Sequence, residues 1–340
     1  MKRLICGLLL TCLVLSGCAG APEPEQKQYT ATFLTLFDTL TTIKGPAESG
    51  EAFQETVQLI HDELLECHQL FDIYNDYEGI HNLKTVNDAA GIAPVTVDRR
   101  IMDLLLDCKA FYTATGGRVN VAMGSVLHLW HEARNDGLNN PAAAYLPEQE
   151  ALEEAATHCS MDSLVIDREA STVFLTDPQA RLDVGAIAKG WSVELVAKTA
   201  PKGFLISVGG NVRSTGPKAE DTPWVVGVSD PNDPNAYLHT LYLKEGSLVT
   251  SGDYQRYYYV DGKQYHHIID PDTLYPSQFW SSVTIVCQDS GLADALSTAL
   301  FLMDRESGQK LLDMYGAEAL WVDREMKLYY SPGFQDLIRT

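Results

Sequence analysis

The chain has 340 residues and a formal net charge of −21, because 46 acidic residues outnumber 25 lysines and arginines. This acidic balance argues against nucleic acid and against an anionic membrane surface as direct partners. An anionic substrate would need a metal ion, a helix N-terminus or a local lysine to offset the negative field. The cysteines after residue 18 show no CxxC pairing, which argues against a structural zinc site.

The N-terminal segment has the features of an export signal. Lys2 and Arg3 precede an apolar stretch, residues 4–15, that is too short to span a bilayer as a mature helix. The stretch ends in LSGC (15–18), which resembles the bacterial lipobox, where the cysteine is acylated and starts the mature chain. The alternative is an ordinary cleaved signal with an incidental Cys18. We favour Cys18 as a lipid anchor.

Three regions follow from this interpretation. We predict a lipoprotein signal peptide at residues 1–17, a polar, Pro-rich tether at 18–28, and one large domain or two closely joined ones at 29–340. The anchor would hold the domain on the extracytoplasmic face of the cell membrane, on the periplasmic or the cell-surface side. Loss of Lys2 and Arg3 would change the formal charge from −21 to −23.

Apolar periodicity predicts the elements of the domain in chain order. Strands are expected at 33–43, 119–121, 164–166, 172–175, 204–208, 224–228, 238–243, 247–251, 255–260, 264–268, 283–287, 319–322 and 327–330. Helices are expected at 51–71, 99–115, from 126, and at 147–158, 186–199, 292–303 and 307–315, with loop at 72–93 and a polar insertion at 135–147. The order lacks a strict βαβ rhythm, so we predict an α+β (mixed α/β) fold with largely antiparallel sheets flanked by helices.

Asp294 and Thr298 lie near the start of a predicted helix that follows a predicted strand. Four residues apart, they share one helix face and can present two oxygens to one point. A carboxylate and a hydroxyl in this arrangement suit a hard cation such as Mg²⁺, a usual partner of phosphate. The alternative is a solvated aspartate and a threonine that bonds back to its own helix. The segment taken by itself favours this structural interpretation, because such residues are common near helix starts.

Two other segments indicate ligand contacts. Asp183 ends a predicted strand, small residues follow, and Lys189 lies in the first turn of the next helix, where backbone N–H groups and the lysine could face one anion. The glycine spacing matches neither a dinucleotide fingerprint nor a P-loop. Gly209 and Gly210 are compatible with either a turn or a close approach of backbone to a ligand.

Adjacent His266 and His267 fall in a predicted strand, so their side chains point to opposite faces and are not expected to bind one metal together. One of them can face a site while the other faces solvent. Strand histidines of this kind are more often structural than functional.

These segments together, in this order, resemble the ApbE family of FAD:protein FMN transferases. The family motifs correspond here to FDTLTTI (37–43), FDIYNDYEGIHNL (71–83), GGRVNVAMGSVLHLW (116–130), LDVGAIAKGWS (182–192), SVGGNVRSTG (207–216), TSGDYQRYY (250–258), HHIIDPDTLYP (266–276) and ADALSTALFLM (293–303). The resemblance spans nearly the whole predicted domain.

The resemblance implies a domain that binds FAD and Mg²⁺ in a cleft, cleaves the pyrophosphate, releases AMP and joins FMN through a phosphoester to a Thr or Ser of a partner protein. It implies metal ligation by Asp294, Thr298 and the backbone carbonyl of Ala186. The implied FAD contacts are Phe37, Tyr74, Asn120, Val121, Ala122, Asp183, Lys189 and Ile269. His267 matches a family histidine implicated in metal binding and activity. The general base stays open between Asp253, His267 and another carboxylate.

Three positions depart from the family pattern. Ser297 stands where some members have a second metal-binding aspartate, and Asn120 replaces an aspartate. Asp272-Thr273-Leu274 replaces the usual Arg-Thr-Gly. None of these changes removes Asp294 or Thr298, so we expect an active enzyme.

The resemblance also implies a partner, an acceptor carrying the flavinylation sequence D-x-[ST]-[GS]-A-[ST], such as an Nqr/Rnf-type or other extracytoplasmic redox protein. This chain lacks that sequence, so self-flavinylation is not expected. Two alternatives use the same site: an FAD pyrophosphatase, in which water replaces the acceptor hydroxyl, and a non-catalytic FAD-binding lipoprotein.

Overall fold

The computed structural model describes residues 27–340. The predicted signal peptide, the predicted anchor Cys18 and most of the predicted tether lie outside the described residues. The first strand begins at Lys27, two residues before the domain start expected at Tyr29. Among residues 27–340, no helix combines the length and the apolar character needed to cross a membrane.

The described chain forms fifteen strands and eight α-helices. The strands are β1 (Lys27–Leu36), β2 (Thr39–Ala47), β3 (Val95–Thr96), β4 (Leu164–Asp167), β5 (Thr172–Leu175), β6 (Leu205–Val208), β7 (Asn211–Ser214), β8 (Trp224–Asp230), β9 (Asp233–Leu243), β10 (Gly246–Gly252), β11 (Tyr257–Val260), β12 (Lys263–His266), β13 (Ser282–Cys287), β14 (Glu318–Val322) and β15 (Leu328–Tyr330). The helices are α1 (Gly50–Phe71), α2 (Leu83–Asp88), α3 (Arg99–Ala114), α4 (Gly124–Asn139), α5 (Gln149–Ala156), α6 (Ala188–Thr199), α7 (Ser290–Phe301) and α8 (Arg305–Tyr315).

An eight-stranded sheet runs through the fold in the order β1-β2-β6-β7-β10-β13-β14-β15. Smaller sheets have the orders β3-β5-β4, β8-β9 and β11-β12. Every pairing between these strands is antiparallel. The prediction of a mixed fold with largely antiparallel sheets is therefore confirmed.

Helix α7 packs against β10 and β13 on the central sheet and against α6. Its sequence, SGLADALSTALF, is apolar around most of its circumference, and ten of its twelve residues are buried. Small alanines bring its backbone close to both neighbours, while Leu300 and Phe301 fill the core on the sheet side. Asp294 and Ser297 are buried within this apolar surrounding. A buried carboxylate in an apolar helix is costly, which marks Asp294 as a residue with a specific task.

The structure corrects the single strand predicted at 33–43. Phe37 and Asp38 have φ values of 53° and 52°, so the chain turns there and the segment is a hairpin between β1 and β2. A turn with positive φ at both central residues matches the twist of the flanking strands, and here it lacks the glycine that usually signals it. Because β-branched and aromatic residues continue on both sides of the turn, the sequence pattern gave no sign that the strand ends there.

Other boundaries also differ. The strand predicted at 119–121 is a turn, and α4 continues to Asn139, through the first part of the insertion predicted at 135–147. Strand β7 was not predicted at all; it pairs with β6 across Gly209 and Gly210, whose φ values are 57° and 90°. These glycines form the two-residue turn of that hairpin, and they also line the cleft described next.

Candidate active site

A cleft of about 770 Å³ lies beside the N-terminal half of α7. Its walls come from the β1–β2 turn, the loop after α1, α4, the segment that leads into α6, the β6–β7 turn, the end of β10 and the chain that follows β12. The lining includes ten of the predicted site residues: Phe37, Tyr74, Asn120, Asp183, Ala186, Lys189, His267, Ile269, Asp294 and Thr298. Residues from distant parts of the chain are thus brought to one concave surface.

The carboxylate of Asp294 is buried and held by three groups through one oxygen. Its Oδ2 accepts hydrogen bonds from the Gly190 N–H at 2.8 Å and the Asn211 side-chain amide at 2.9 Å, and the Lys189 Nζ lies 3.9 Å from it. Burial raises the pKa of Asp294, whereas Lys189, Gly190 and Asn211 act to lower it. These contacts all use Oδ2 and leave Oδ1 open to a ligand in the cleft.

Gly190 brings the first turn of α6 against this carboxylate. It is the third residue of α6, so its N–H is one of the N-terminal donors that have no acceptor within the helix. This N–H donates to Asp294, and the carbonyl of Ala186, which precedes the N-cap Ile187, lies outside the helical hydrogen-bond pattern. A Cβ on Gly190 would lie 2.3 Å from the Ser290 carbonyl oxygen and 2.5 Å from the Asp294 Cβ, so only glycine permits this approach of α6 to α7.

Hydroxyl groups form the neighbouring part of the wall. Thr298 Oγ1 lies 3.5 Å from Ser251 Oγ, which in turn is 2.8 Å from Ser297 Oγ. Ser297 is fully buried and donates to the Asp294 carbonyl of its own helix at 2.9 Å. The serine that replaces the expected aspartate is therefore a structural hydroxyl, and Thr298 is the one that lines the cleft.

Lys189 and the start of α6 make this corner attractive to an anion. The helix N-terminus has no side-chain cap and no acidic residue in its first turn. Lys189 donates to the Gly185 carbonyl at 3.3 Å and remains near Asp294. A helix N-terminus together with a lysine is suited to phosphate, as the sequence predicted.

The positions of the two adjacent histidines differ in part from the expectation. His266 does not face solvent; it is 3% exposed, donates from Nε2 to the Ser277 carbonyl at 2.9 Å and accepts the Ile268 N–H on Nδ1. His267 faces the cleft, and its Nδ1 donates to the Arg256 carbonyl at 3.2 Å. Because a carbonyl only accepts, the Nε2 of His267 carries a free lone pair.

The electrostatic surroundings keep both histidines neutral. Burial lowers the pKa of His266 to about 4. Burial, then Arg256, His266, Lys189 and Arg134, lower the pKa of His267 to about 3. An anion bound beside Lys189 would offset part of this positive charge and raise the pKa of His267, so the basicity of His267 depends on whether the cleft is occupied.

The predicted flavin contacts lie along the rest of the cleft. Tyr74 is half exposed and stacks on His131 with ring centroids 4.8 Å apart, and Phe37 packs edge-on against His68. Asp183 accepts the Gly185 N–H at 2.8 Å, and Ile269 is buried at the cleft wall.

Two departures from the family pattern have local compensation. The Asn120 amide donates to the Cys159 carbonyl and its oxygen accepts the Ala122 N–H, both at 2.9 Å. An aspartate could not make the first of these bonds. Asp272 pairs at 2.7 Å with Arg118 of the segment between α3 and α4, and this cation offsets the charge that Asp272 introduces.

Three predicted site residues lie outside the cleft lining. Val121 and Ala122 have buried side chains in the core, although the Val121 carbonyl accepts the Asp183 N–H at 2.8 Å and so positions the wall. Asp253 is turned toward Ser281 and Arg324, and burial raises its pKa. The structure therefore does not bring Asp253 to the cleft, and of the two named candidates for the base only His267 faces it.

The structure also identifies cleft residues that the sequence analysis missed. Asn211 holds Asp294, and Arg134 and Arg256 line the wall near His267. A signal existed for Asn211, because it directly follows the Gly209-Gly210 pair. Arg134 falls in the helix predicted from residue 126, one residue before the insertion predicted at 135–147, but nothing in the local sequence pattern indicates that it faces the cleft.

The residues that could hold a cation form a sparse set. Among residues 27–340, no cluster of three or more His, Cys, Asp or Glu side chains is arranged to hold a metal. Asp294 Oδ1, Thr298 Oγ1 and the Ala186 carbonyl supply one carboxylate, one hydroxyl and one carbonyl. Such a set fits Mg²⁺, which keeps several waters and takes substrate phosphates among its ligands, and does not fit zinc.

Comparison with known proteins identifies the family of this chain. The ApbE family model matches residues 37–321. An FAD:protein FMN transferase of Treponema pallidum is 35% identical over 278 residues, covering 76% of this chain and 75% of the relative, and one of Vibrio cholerae is 27% identical with 97% of each chain covered. The crystal structure of the ApbE protein from Thermotoga maritima superposes with a TM-score of 0.82 at 30% identity, covering 92% of this chain and 100% of that one. This chain belongs to the ApbE family.

Proposed function

We propose that this protein is an FAD:protein FMN transferase, which cleaves FAD to AMP and attaches FMN to a Thr or Ser of an acceptor protein. The observation that carries the proposal is the buried Asp294 carboxylate, with Oδ2 fixed by Gly190 and Asn211 and Oδ1 free beside Thr298. Relatives that bear the name of this activity match most of the chain. The cleft volume of about 770 Å³ is large enough for a dinucleotide.

We infer that Mg²⁺ is the cofactor, held by Asp294, Thr298 and the Ala186 carbonyl. When bound, it would neutralise charge on the pyrophosphate and on the leaving phosphate of AMP. Lys189 and the N-terminus of α6 face the same corner and orient the anion. The charge of Lys189 and the position of this helix N-terminus support the proposal.

The acceptor hydroxyl must lose a proton as it attacks the phosphorus of the FMN half, while the AMP phosphate leaves. His267 is the side chain suited to accept that proton, because its Nδ1–H is bonded to the Arg256 carbonyl and its Nε2 lone pair is free. Bound phosphate raises its pKa toward the range useful for a base. The half-exposed Tyr74, stacked on His131, offers an aromatic surface for a flavin or adenine ring.

We also propose that Cys18 anchors the protein to the extracytoplasmic face of the membrane. The acceptor would then be a membrane or surface redox protein of the Nqr/Rnf type that carries D-x-[ST]-[GS]-A-[ST]. This part of the proposal is supported by the sequence of residues 1–18 and by the family resemblance.

The test combines the full chain, FAD, Mg²⁺ and an acceptor bearing the flavinylation sequence. In-gel flavin fluorescence of the acceptor and AMP release are followed together, with Asp294→Asn as the matched variant. We expect a fluorescent acceptor and equimolar AMP with the unchanged enzyme, and neither with the variant. AMP and free FMN without a labelled acceptor would indicate a pyrophosphatase, and intact FAD would indicate a binding protein.

A further inference from the structure

The cleft contains four basic side chains, and they differ in how their charge is balanced. Arg118 pairs with Asp270 at 3.3 Å and with Asp272 at 2.7 Å, and Lys189 lies 3.9 Å from Asp294. Arg134 and Arg256 line the same cleft, yet neither makes an ion pair with any of residues 27–340. Two cations without a carboxylate partner in one cleft leave a local positive charge.

The two arginines line one cleft and come from different elements. Arg134 is on α4 and donates to His131 Nδ1 at 3.2 Å, whereas Arg256 lies between β10 and β11. Burial and the Arg256 charge lower the pKa of Arg134, with Tyr74 and Asp183 opposing the effect. Because like charges repel, two unpaired guanidinium groups in one cleft destabilise the folded state unless an anion binds to them.

Their position is at the rim of the cleft and not at its floor. Arg256 is exposed and Arg134 half-buried, next to the half-exposed Tyr74, while Asp294 is only 4% exposed. The Arg256 carbonyl accepts both the backbone N–H of His267 at 3.1 Å and its Nδ1–H at 3.2 Å. The backbone of Arg256 is thereby fixed to the candidate base, and its guanidinium remains free at the entrance.

We propose that Arg134 and Arg256 form a docking site for an acidic side chain of the acceptor segment, next to the hydroxyl that receives FMN. This inference rests on the proposed transferase function. A protein segment can reach an exposed rim, whereas the phosphates of FAD have Lys189, the α6 N-terminus and the metal ligands on the floor. Paired guanidinium groups bind a carboxylate with directional, charge-assisted hydrogen bonds.

The net charge of the protein also favours a docking site at these two arginines. The chain has a formal net charge of −21, so an acidic segment is repelled from most of its surface. The two unbalanced arginines make the field locally positive at the cleft entrance. The acceptor would therefore be steered to the entrance beside His267.

The experiment measures binding without turnover. The full chain is loaded with FAD in the absence of Mg²⁺, and the affinity of a fluorescent peptide containing D-x-[ST]-[GS]-A-[ST] is measured by anisotropy. A second peptide has its Asp replaced by Asn. The enzyme variants are Arg134→Met and Arg256→Met, with Arg99→Met as the control, since Arg99 is an exposed residue of α3 outside the cleft. FAD affinity is measured separately by quenching of flavin fluorescence, and thermal melts verify folding.

We expect each cleft variant to bind the Asp peptide on the order of tenfold more weakly, with FAD affinity unchanged. The unchanged enzyme should bind the Asn peptide equally weakly, and the variants should lose little more with that peptide, because the same contact is already missing. Weaker FAD binding with unaltered peptide binding would overturn the proposal and assign the arginines to the FAD phosphates. Equal peptide binding by all variants would overturn it as well. A failure of flavin transfer with the expected peptide pattern would refute the transferase function and leave the docking site supported.

Discussion

The N–H of Gly190 donates to Asp294 at 2.8 Å across 104 residues of sequence, and this bond joins the first turn of α6 to the buried face of α7. It orients the carboxylate, and it gives an acceptor to one of the N-terminal N–H groups of α6 that has none within the helix. The positions of two elements that line the cleft thus depend on one backbone contact.

Gly190→Ala should disrupt the site and the packing of the two helices together. The new Cβ would meet the Ser290 carbonyl oxygen at 2.3 Å and the Asp294 Cβ at 2.5 Å. We expect a loss of about 1–3 kcal/mol in the free energy of unfolding and loss of Mg²⁺-dependent AMP release. Urea denaturation and a Mg²⁺ titration of activity measure the two effects. Gly50→Ala is the control, since its Cβ would meet only Tyr29, at 3.7 Å; an equally harmful control would refute the argument.

Asn211→Leu should move the acid limb of the pH–rate profile to higher pH. The Asn211 amide donates to Asp294 and helps to lower the pKa of that carboxyl against the effect of burial. Without this donor the pKa of Asp294 rises further, and because the ionised carboxylate is the proposed metal ligand, activity should be lost at a higher pH as the solution is acidified. Asn211→Ser keeps a hydroxyl donor and should shift the profile less. An unchanged acid limb in Asn211→Leu would contradict this role.

Arg213→Met should destabilise the fold more than most single changes. Arg213 on β7 pairs with Glu194 of α6 at 2.9 Å, and Glu194 also accepts the Ser290 N–H at the start of α7. The variant leaves a buried carboxylate unpaired, at a cost of about 3–5 kcal/mol. Adding Glu194→Gln removes the charge and keeps an acceptor for Ser290. The double variant should recover most of the lost stability in thermal melts; a purely additive loss would count against the ion pair.

The buried His266 should make the fold less stable in mild acid. Its pKa is lowered from 6.5 to about 4, so below pH 6.5 the unfolded chain binds a proton that the folded protein does not. The stability from this residue is complete above pH 6.5 and declines as the pH falls toward 4, by on the order of 3 kcal/mol in total. His266→Gln lacks the titrating ring, so its unfolding free energy should depend less on pH in that window. Parallel curves for both proteins would show that His266 is not responsible.

Local spacing offered the candidate centre of the site, and the family resemblance favoured it over a structural interpretation. Asp294 and Thr298 on one helix face, and Lys189 at the start of a helix, are relationships within a single turn, and the structure places all three in the cleft. Apolar periodicity likewise predicted α1, α3, α6, α7 and α8 and the largely antiparallel strands, because burial of an apolar face determines both the period and the element.

Relationships across long stretches of chain were decided by tertiary packing. Asn211 and Asp294 are 83 residues apart, and only the pairing of β7 in the central sheet beside α7 brings them to 2.9 Å. The same packing brings Arg134 and Arg256 to the lining of one cleft, and it leaves Asp253 outside that lining. The family, most of the element types and the candidate metal-ligating pair could be predicted from the amino-acid sequence, since motifs and periodicity depend on near neighbours. Which oxygen of Asp294 is free, and which arginines lack a partner, follows only from how the buried surfaces of distant elements fit together.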